Sequence, residues 1–138
     1  SKGQMIARPG DKPKAFVGQN SLNQAIDHLI EKGYTTIALI TKSMLHSKTI
    51  LANNKTRHSI KLINPEEASL PKGIVTLPVY FAKCLEFDAV IVVDADEHHY
   101  CDSRDQRLAY VASSRALHAL CLQSNSSIAP MFQKGTGE

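Results

Sequence analysis

The sequence predicts an open α/β sheet, mostly parallel, with helices on both faces. Three observations carry that expectation. Strand-like runs rich in β-branched residues alternate with segments of helical period along the chain. The two strongest runs, residues 35–40 and 87–93, are apolar on nearly every position, as strands covered on both faces are. The connections between segments are short, and this alternation favours layered α/β architecture.

The elements follow in order. Residues 1–13 hold Gly3, Pro9, Gly10 and Pro13 and read as an extended leading segment. Residues 14–17 form a short strand. Ser21, Leu22, Asn23 and Gln24 have the capping-box form, with Ser21 as the cap. Leu22, Ile26, Leu29 and Ile30 follow at helical spacing, and Gly33 stands where a helix end favours a left-handed residue. Residues 35–40 are a buried strand, 43–53 a helix with irregular apolar positions, 59–63 a short strand and 73–80 another strand. Residues 87–93 make the strongest strand, which leads into an acidic, imidazole-rich loop over 94–102. Ser103 to Gln106 give a second capping box, a helix runs to about residue 117, and 118–122 close as a last strand. The domain proper is expected over 14–123, with a frayed polar tail over 124–138.

Composition narrows the class of protein. Hydrophobic residues make up 43% of the 138 and charged residues 21%, which fits a globular domain and excludes a disordered chain. The longest apolar stretch, 89–93, is far too short to cross a bilayer, so no membrane partner is expected. The start lacks both an apolar signal region and a Met, so the chain is expected to be a piece of a longer protein. A net charge of +3 permits a nucleic-acid partner without requiring one. Cys84, Cys101 and Cys121 are odd in number and widely spaced, which points to a reducing cytoplasm rather than a disulfide framework.

Two segments carry chemistry. Residues 76–88 place Lys83 and Glu86 in a turn just before the strongest strand. Residues 106–116 form a helix with a small-residue patch, Ala112 to Ser114, ending in Arg115. Taken singly, each is most simply a solvated turn or a surface Arg favoured by a helix C-terminus. An Arg beside small residues can instead project its planar fork of donors toward a phosphate. The crowded ligands of 94–102 lack a distant ligand pair, so a solvated loop and no metal site are expected there.

Together the two segments resemble the last two helicase motifs of the UvrD/Rep/PcrA family of superfamily 1. The carrying residues are Lys83-Cys84-Leu85-Glu86-Phe87 and the run from Arg107 through Leu108, Tyr110, Val111 and Ser114 to Arg115-Ala116. The match covers the last half of the chain; the first half agrees only in strand–helix order. The resemblance implies a RecA-like second motor lobe of an ATP-dependent DNA helicase or translocase. Arg115 would be the arginine finger, with Glu86 on the nucleotide ribose and Lys83 and Arg107 also at the ATP site. Thr76, Lys42 and Lys48 would contact single-stranded nucleic acid, DNA by the family's habit. ATP and Mg would be held mainly by an N-terminal RecA-like lobe of the same chain. No Gly-x-x-x-x-Gly-Lys-Ser/Thr loop is present, so this piece alone is expected to be inactive.

Two departures stand out. Cys84 replaces the family's Gly, which matters only if that position needs positive φ. The stretch from Thr76 to Lys83 is two residues longer than in UvrD. That length, with the run 85–90 and Arg8, Gly10 and Pro13, leans toward the HelD-like branch, also called helicase IV-like, some members of which act on RNA polymerase. A polymerase-remodelling ATPase and a stand-alone regulatory nucleotide-binding domain are the alternatives.

Overall fold

The computed structural model describes residues 12–53, 58–66 and 70–133. Of the expected leading segment 1–13, only Lys12 and Pro13 fall within those residues. Six strands form one sheet in the order β1-β6-β5-β2-β4-β3. They are β1 (Lys14–Val17), β2 (Thr36–Thr41), β3 (Ile60–Leu62), β4 (Gly73–Pro78), β5 (Phe87–Val92) and β6 (Ala116–Ser124). The expectation was a mostly parallel sheet; every pairing in this one is parallel.

Both faces are covered, because the central strands are apolar on consecutive positions and so have no face to give to water. Helices α1 (Ser21–Glu31) and α2 (Met44–Ala52) pack on one face, where Ala25, Ile26 and Leu29 meet Ile37, Leu39, Ala89 and Ile91. The other face carries α3 (Ser103–Ser114), a single 3-10 turn (Val79–Phe81) and α4 (Pro130–Gln133). There Ala109, Ala112, Val79 and Phe132 meet Val75, Leu77, Val90 and Val92.

The helix boundaries show where local signals compete. Gly33 takes φ +92° and its N–H bonds the Ile30 carbonyl at 2.9 Å, as a left-handed helix end should. Ser43 caps α2 by accepting from the His46 N–H at 3.1 Å. The expected caps of α1 and α3 are each shifted by one residue. Asn20 precedes α1 without a side-chain bond, while Ser21 is buried at the first helical position. Its hydroxyl donates to the Ser124 carbonyl at 3.1 Å and accepts from Gln123 Nε2 at 2.9 Å, so it ties α1 to β6 rather than capping α1. At α3 the cap is Asp102, in a reciprocal box with Asp105. An ionised carboxylate is a stronger acceptor for orphan helix N–H groups than the Ser103 hydroxyl.

Two further expectations are corrected. The last helix stops at Ser114 and the strand starts at Ala116, rather than changing over near 117. The Phe87 N–H bonds the Arg115 carbonyl at 3.0 Å, so sheet pairing takes over one residue past the helix. The tail expected to fray from residue 124 is folded as far as 133: Ile128, Ala129 and Phe132 are buried, and Phe132 meets Tyr100 edge-on at 5.1 Å. Three apolar residues among polar neighbours carried too little periodicity to announce this. Residues 134–138 lie outside the described residues.

Candidate functional site at the head of β5 and β6

The register of β5 against β6 pairs Phe87 with Ala116. The residues just before them, Glu86 and Arg115, therefore stand side by side at the N-terminal edge of two adjacent strands, whose backbones run about 4.8 Å apart. Arg115 is partly buried. Its guanidinium donates to the Lys83 carbonyl at 2.6 Å through one terminal nitrogen and to Ser114 Oγ at 3.1 Å through the other. Ser114 in turn donates to the Val111 carbonyl at 2.9 Å. The Arg115 Nε is buried with no partner among the described residues, leaving a donor unsatisfied. Lys83, whose carbonyl accepts from the guanidinium, and Glu86 are both exposed. The corner therefore offers a positioned guanidinium, a second cation and a carboxylate acceptor, which is a chemistry suited to a phosphorylated, hydroxyl-bearing ligand.

The sequence pointed to Arg115, Lys83 and Glu86 and the structure brings them together. Ser114 belongs to the small-residue patch and to the helicase-like run, and its position next to Arg115 is the sequence sign that it holds the guanidinium. Arg107 is exposed on α3, eight residues back and so about 12 Å along the helix axis. Cys84 is exposed, and Asp94 is the one non-glycine residue with positive φ among those described, so Cys84 sits in ordinary backbone geometry. The longer stretch between Thr76 and Lys83 is taken up by the 3-10 turn.

The three residues assigned to nucleic acid separate. Thr76 is fully buried in β4, and its hydroxyl bonds the Leu39 carbonyl and Ser47 Oγ, both at 3.0 Å. This corrects its assignment: with α2 docked over it, no phosphate reaches that oxygen. Lys42 is likewise committed elsewhere. Its ammonium donates to Asp105 Oδ1 at 2.6 Å and to the His99 carbonyl at 2.5 Å, above the Tyr100 ring. Lys48 is exposed on α2.

Ligands in open α/β sheets are expected beyond the C-terminal strand ends, whereas Arg115 and Glu86 lie at the opposite edge. The C-terminal edge has its own cleft of about 270 Å³, between the start of α1 and α2, lined by Asn20, Asn23, His46, Asn53, Asp94 and Asn125. The loop 94–102 beside it is not merely solvated: Ala95, Asp96 and Tyr100 are buried, and one side chain from outside it, His46, places Nε2 2.7 Å from Asp94 Oδ2.

No protein-family model and no curated protein matches the chain. Among solved structures, the C-terminal domain of a possible DNA helicase from Lactobacillus plantarum WCFS1 matches with a TM-score of 0.76 and 30% identity. The match covers 97% of this chain and 87% of that one. The shared architecture is the RecA-like α/β fold. With that identity over nearly its whole length, this chain belongs to the family of that helicase C-terminal domain.

Proposed function

We propose that this lobe completes an ATP site whose other half is a separate N-terminal RecA-like lobe, in an ATP-dependent DNA helicase or translocase. The single supporting observation is that Arg115 and Glu86 each immediately precede one member of the Phe87–Ala116 pair at the head of β5 and β6. ATP and its Mg supply the phosphoryl bond whose cleavage drives such a motor. Arg115 brings its guanidinium charge to the terminal phosphate, exchanging the bonds of its terminal nitrogens to the Lys83 carbonyl and Ser114 Oγ for phosphate oxygens. Lys83 adds positive charge at the same corner, and the Glu86 carboxylate accepts from the ribose hydroxyls. Arg107 would join only through the outer part of a ligand reaching along α3. On the nucleic-acid side, Lys48 is the exposed member of the assigned set and would meet the backbone of single-stranded DNA without reading sequence.

The decisive test is Arg115→Ala in the full-length protein. Arginine fingers contribute about a thousandfold or more to phosphoryl transfer. ATP turnover is expected to fall by that order while nucleotide binding, read by equilibrium dialysis, stays within a few-fold. Unchanged turnover would remove the reading. The 138-residue chain alone is expected to hydrolyse no ATP, since it has no phosphate loop.

A second reading, a HelD-like ATPase that remodels RNA polymerase, is favoured by the longer stretch that forms the 3-10 turn before Lys83. Co-purification of the full-length protein with polymerase, together with weak duplex unwinding, separates it from a simple unwinder.

A further inference from the structure

The cluster at the C-terminal edge of the sheet is independent of Arg115 and Glu86. His46 comes from the first turn of α2, Asp94 from the end of β5 and His99 from the loop before α3. One donor atom from each lies within 4.8 Å of the other two. All three are partly buried, and His46 and Asp94 line the wall of the cleft. We propose that these three side chains bind one divalent transition-metal ion, with zinc the best fit, and leave one coordination position open to the cleft.

Four features carry the proposal. The donor set is two imidazoles and one carboxylate, a combination that suits zinc rather than magnesium or calcium, which take oxygen ligands. The His46 and His99 rings lie 5.2 Å apart between centroids. Two imidazoles bound to one tetrahedral ion, with metal–nitrogen bonds of about 2.0–2.1 Å, place their centroids roughly 5 Å apart. The His99 ring is already oriented by a carboxylate: its Nδ1 lies 2.8 Å from Asp96 Oδ1, and Asp96 is buried. That leaves Nε2 for a metal and reproduces the carboxylate–histidine–metal relay that holds ligating imidazoles in place. Asp94 is itself pinned, taking φ +53° two residues past β5 with its N–H on Gln123 Oε1 at 2.9 Å.

Donor atoms on a tetrahedral ion sit about 3.4 Å apart. The 2.7 Å contact between His46 Nε2 and Asp94 Oδ2 would open by about 0.7 Å, and the widest separation, within 4.8 Å, would close by up to about 1.4 Å. Side-chain rotation supplies such shifts, and it also turns the two imidazoles out of their near-parallel stack, whose planes now lie 23° apart. The neighbouring Cys101, Asp102 and Asp105 group is different in kind, since its two carboxylates are used up in capping α3.

The test is isothermal titration of the 138-residue chain with zinc chloride, joined to the visible spectrum of the cobalt(II) form. One zinc per chain is expected, with magnesium and calcium failing to compete. The cobalt form should show the intense d–d bands of a four-coordinate ion and no thiolate charge-transfer band. His46→Ala and His99→Ala should each abolish saturable binding, while Asp96→Asn, which leaves every ligand in place, should weaken it about 10- to 100-fold. Circular dichroism checks folding; should His46→Ala unfold, His99→Ala and Asp96→Asn decide. No saturable uptake by the wild-type chain overturns the proposal. So does binding that survives both histidine variants, or that is lost instead with Cys101→Ser.

Discussion

Asp105 holds several contacts at once. It accepts from Lys42 Nζ at 2.6 Å and from the Cys101 N–H at 2.9 Å, and it closes the capping box with Asp102. Burial by itself would raise its pKa, but the hydrogen bonds from Lys42 and from the Cys101 and Asp102 amides outweigh burial and hold the carboxyl at about 2. A pKa lower in the folded than in the unfolded chain, where Asp sits near 3.9, contributes stability above about pH 4. That contribution is lost as pH falls through about 2. Thermal unfolding followed from pH 5 to pH 2 should show the loss, and Asp105→Asn should flatten that part of the curve. The same variant should cost about 1–2 kcal/mol at pH 7, because it removes the charge opposite Lys42 and one half of the capping box. Tyr100 offers the opposite case. Its hydroxyl is buried with no partner among the described residues, and its ring does the packing. Tyr100→Phe should therefore leave stability unchanged or raise it by up to about 1 kcal/mol in denaturant titration; a loss above about 2 kcal/mol would mean that the hydroxyl has a partner.

At the scale of elements, α3 depends on its first turn. Asp102→Ala removes one half of the capping box and should cost about 1–2 kcal/mol in denaturant unfolding, whereas Ser103→Ala, the cap suggested by the sequence, should cost under about 0.5 kcal/mol. That pair of variants separates the two placements directly. The strands and helices themselves were legible because their cores are dense. Residues 87–93 have one polar position, Asp88, and that side chain is spent outside the core, accepting from Thr35 Oγ1 at 3.1 Å. The caps were legible only to within a residue, since Asp and Ser stand side by side at 102 and 103 and local pattern does not rank them. Burial of Thr76 could not be read either. Whether a threonine faces solvent depends on which strands flank it, and β4 lies between β2 and β3 with α2 above.

At the scale of the whole molecule, the chain closes its second core layer with residues after the last strand. Phe132 is fully buried against Tyr100 in the layer that also holds α3. Phe132→Ala should cost about 3–5 kcal/mol, enough to lower the melting temperature by roughly 10 °C or more. A chain ended after residue 124 should melt at least as early, and an unchanged melting temperature would return that segment to the role of a loose tail. The motifs that pointed to Arg115 and Glu86 were visible as two separate strings some thirty residues apart. Their adjacency was not, because it is a property of sheet register.

That register has a mechanical corollary. Residues 86 and 115 are each the last before a strand, and the strands are locked by the bond from the Phe87 amide to the Arg115 carbonyl. Their α-carbons can move apart only by breaking that terminal pairing, which sits beside a register shift between Phe87 and Ala89. The acidic and the basic side chain are thus mounted like the jaws of a caliper on a single stiff frame. A ligand spanning them would be gauged for length, and any rocking of this body against a neighbour would bring both jaws up, or withdraw both, in one stroke.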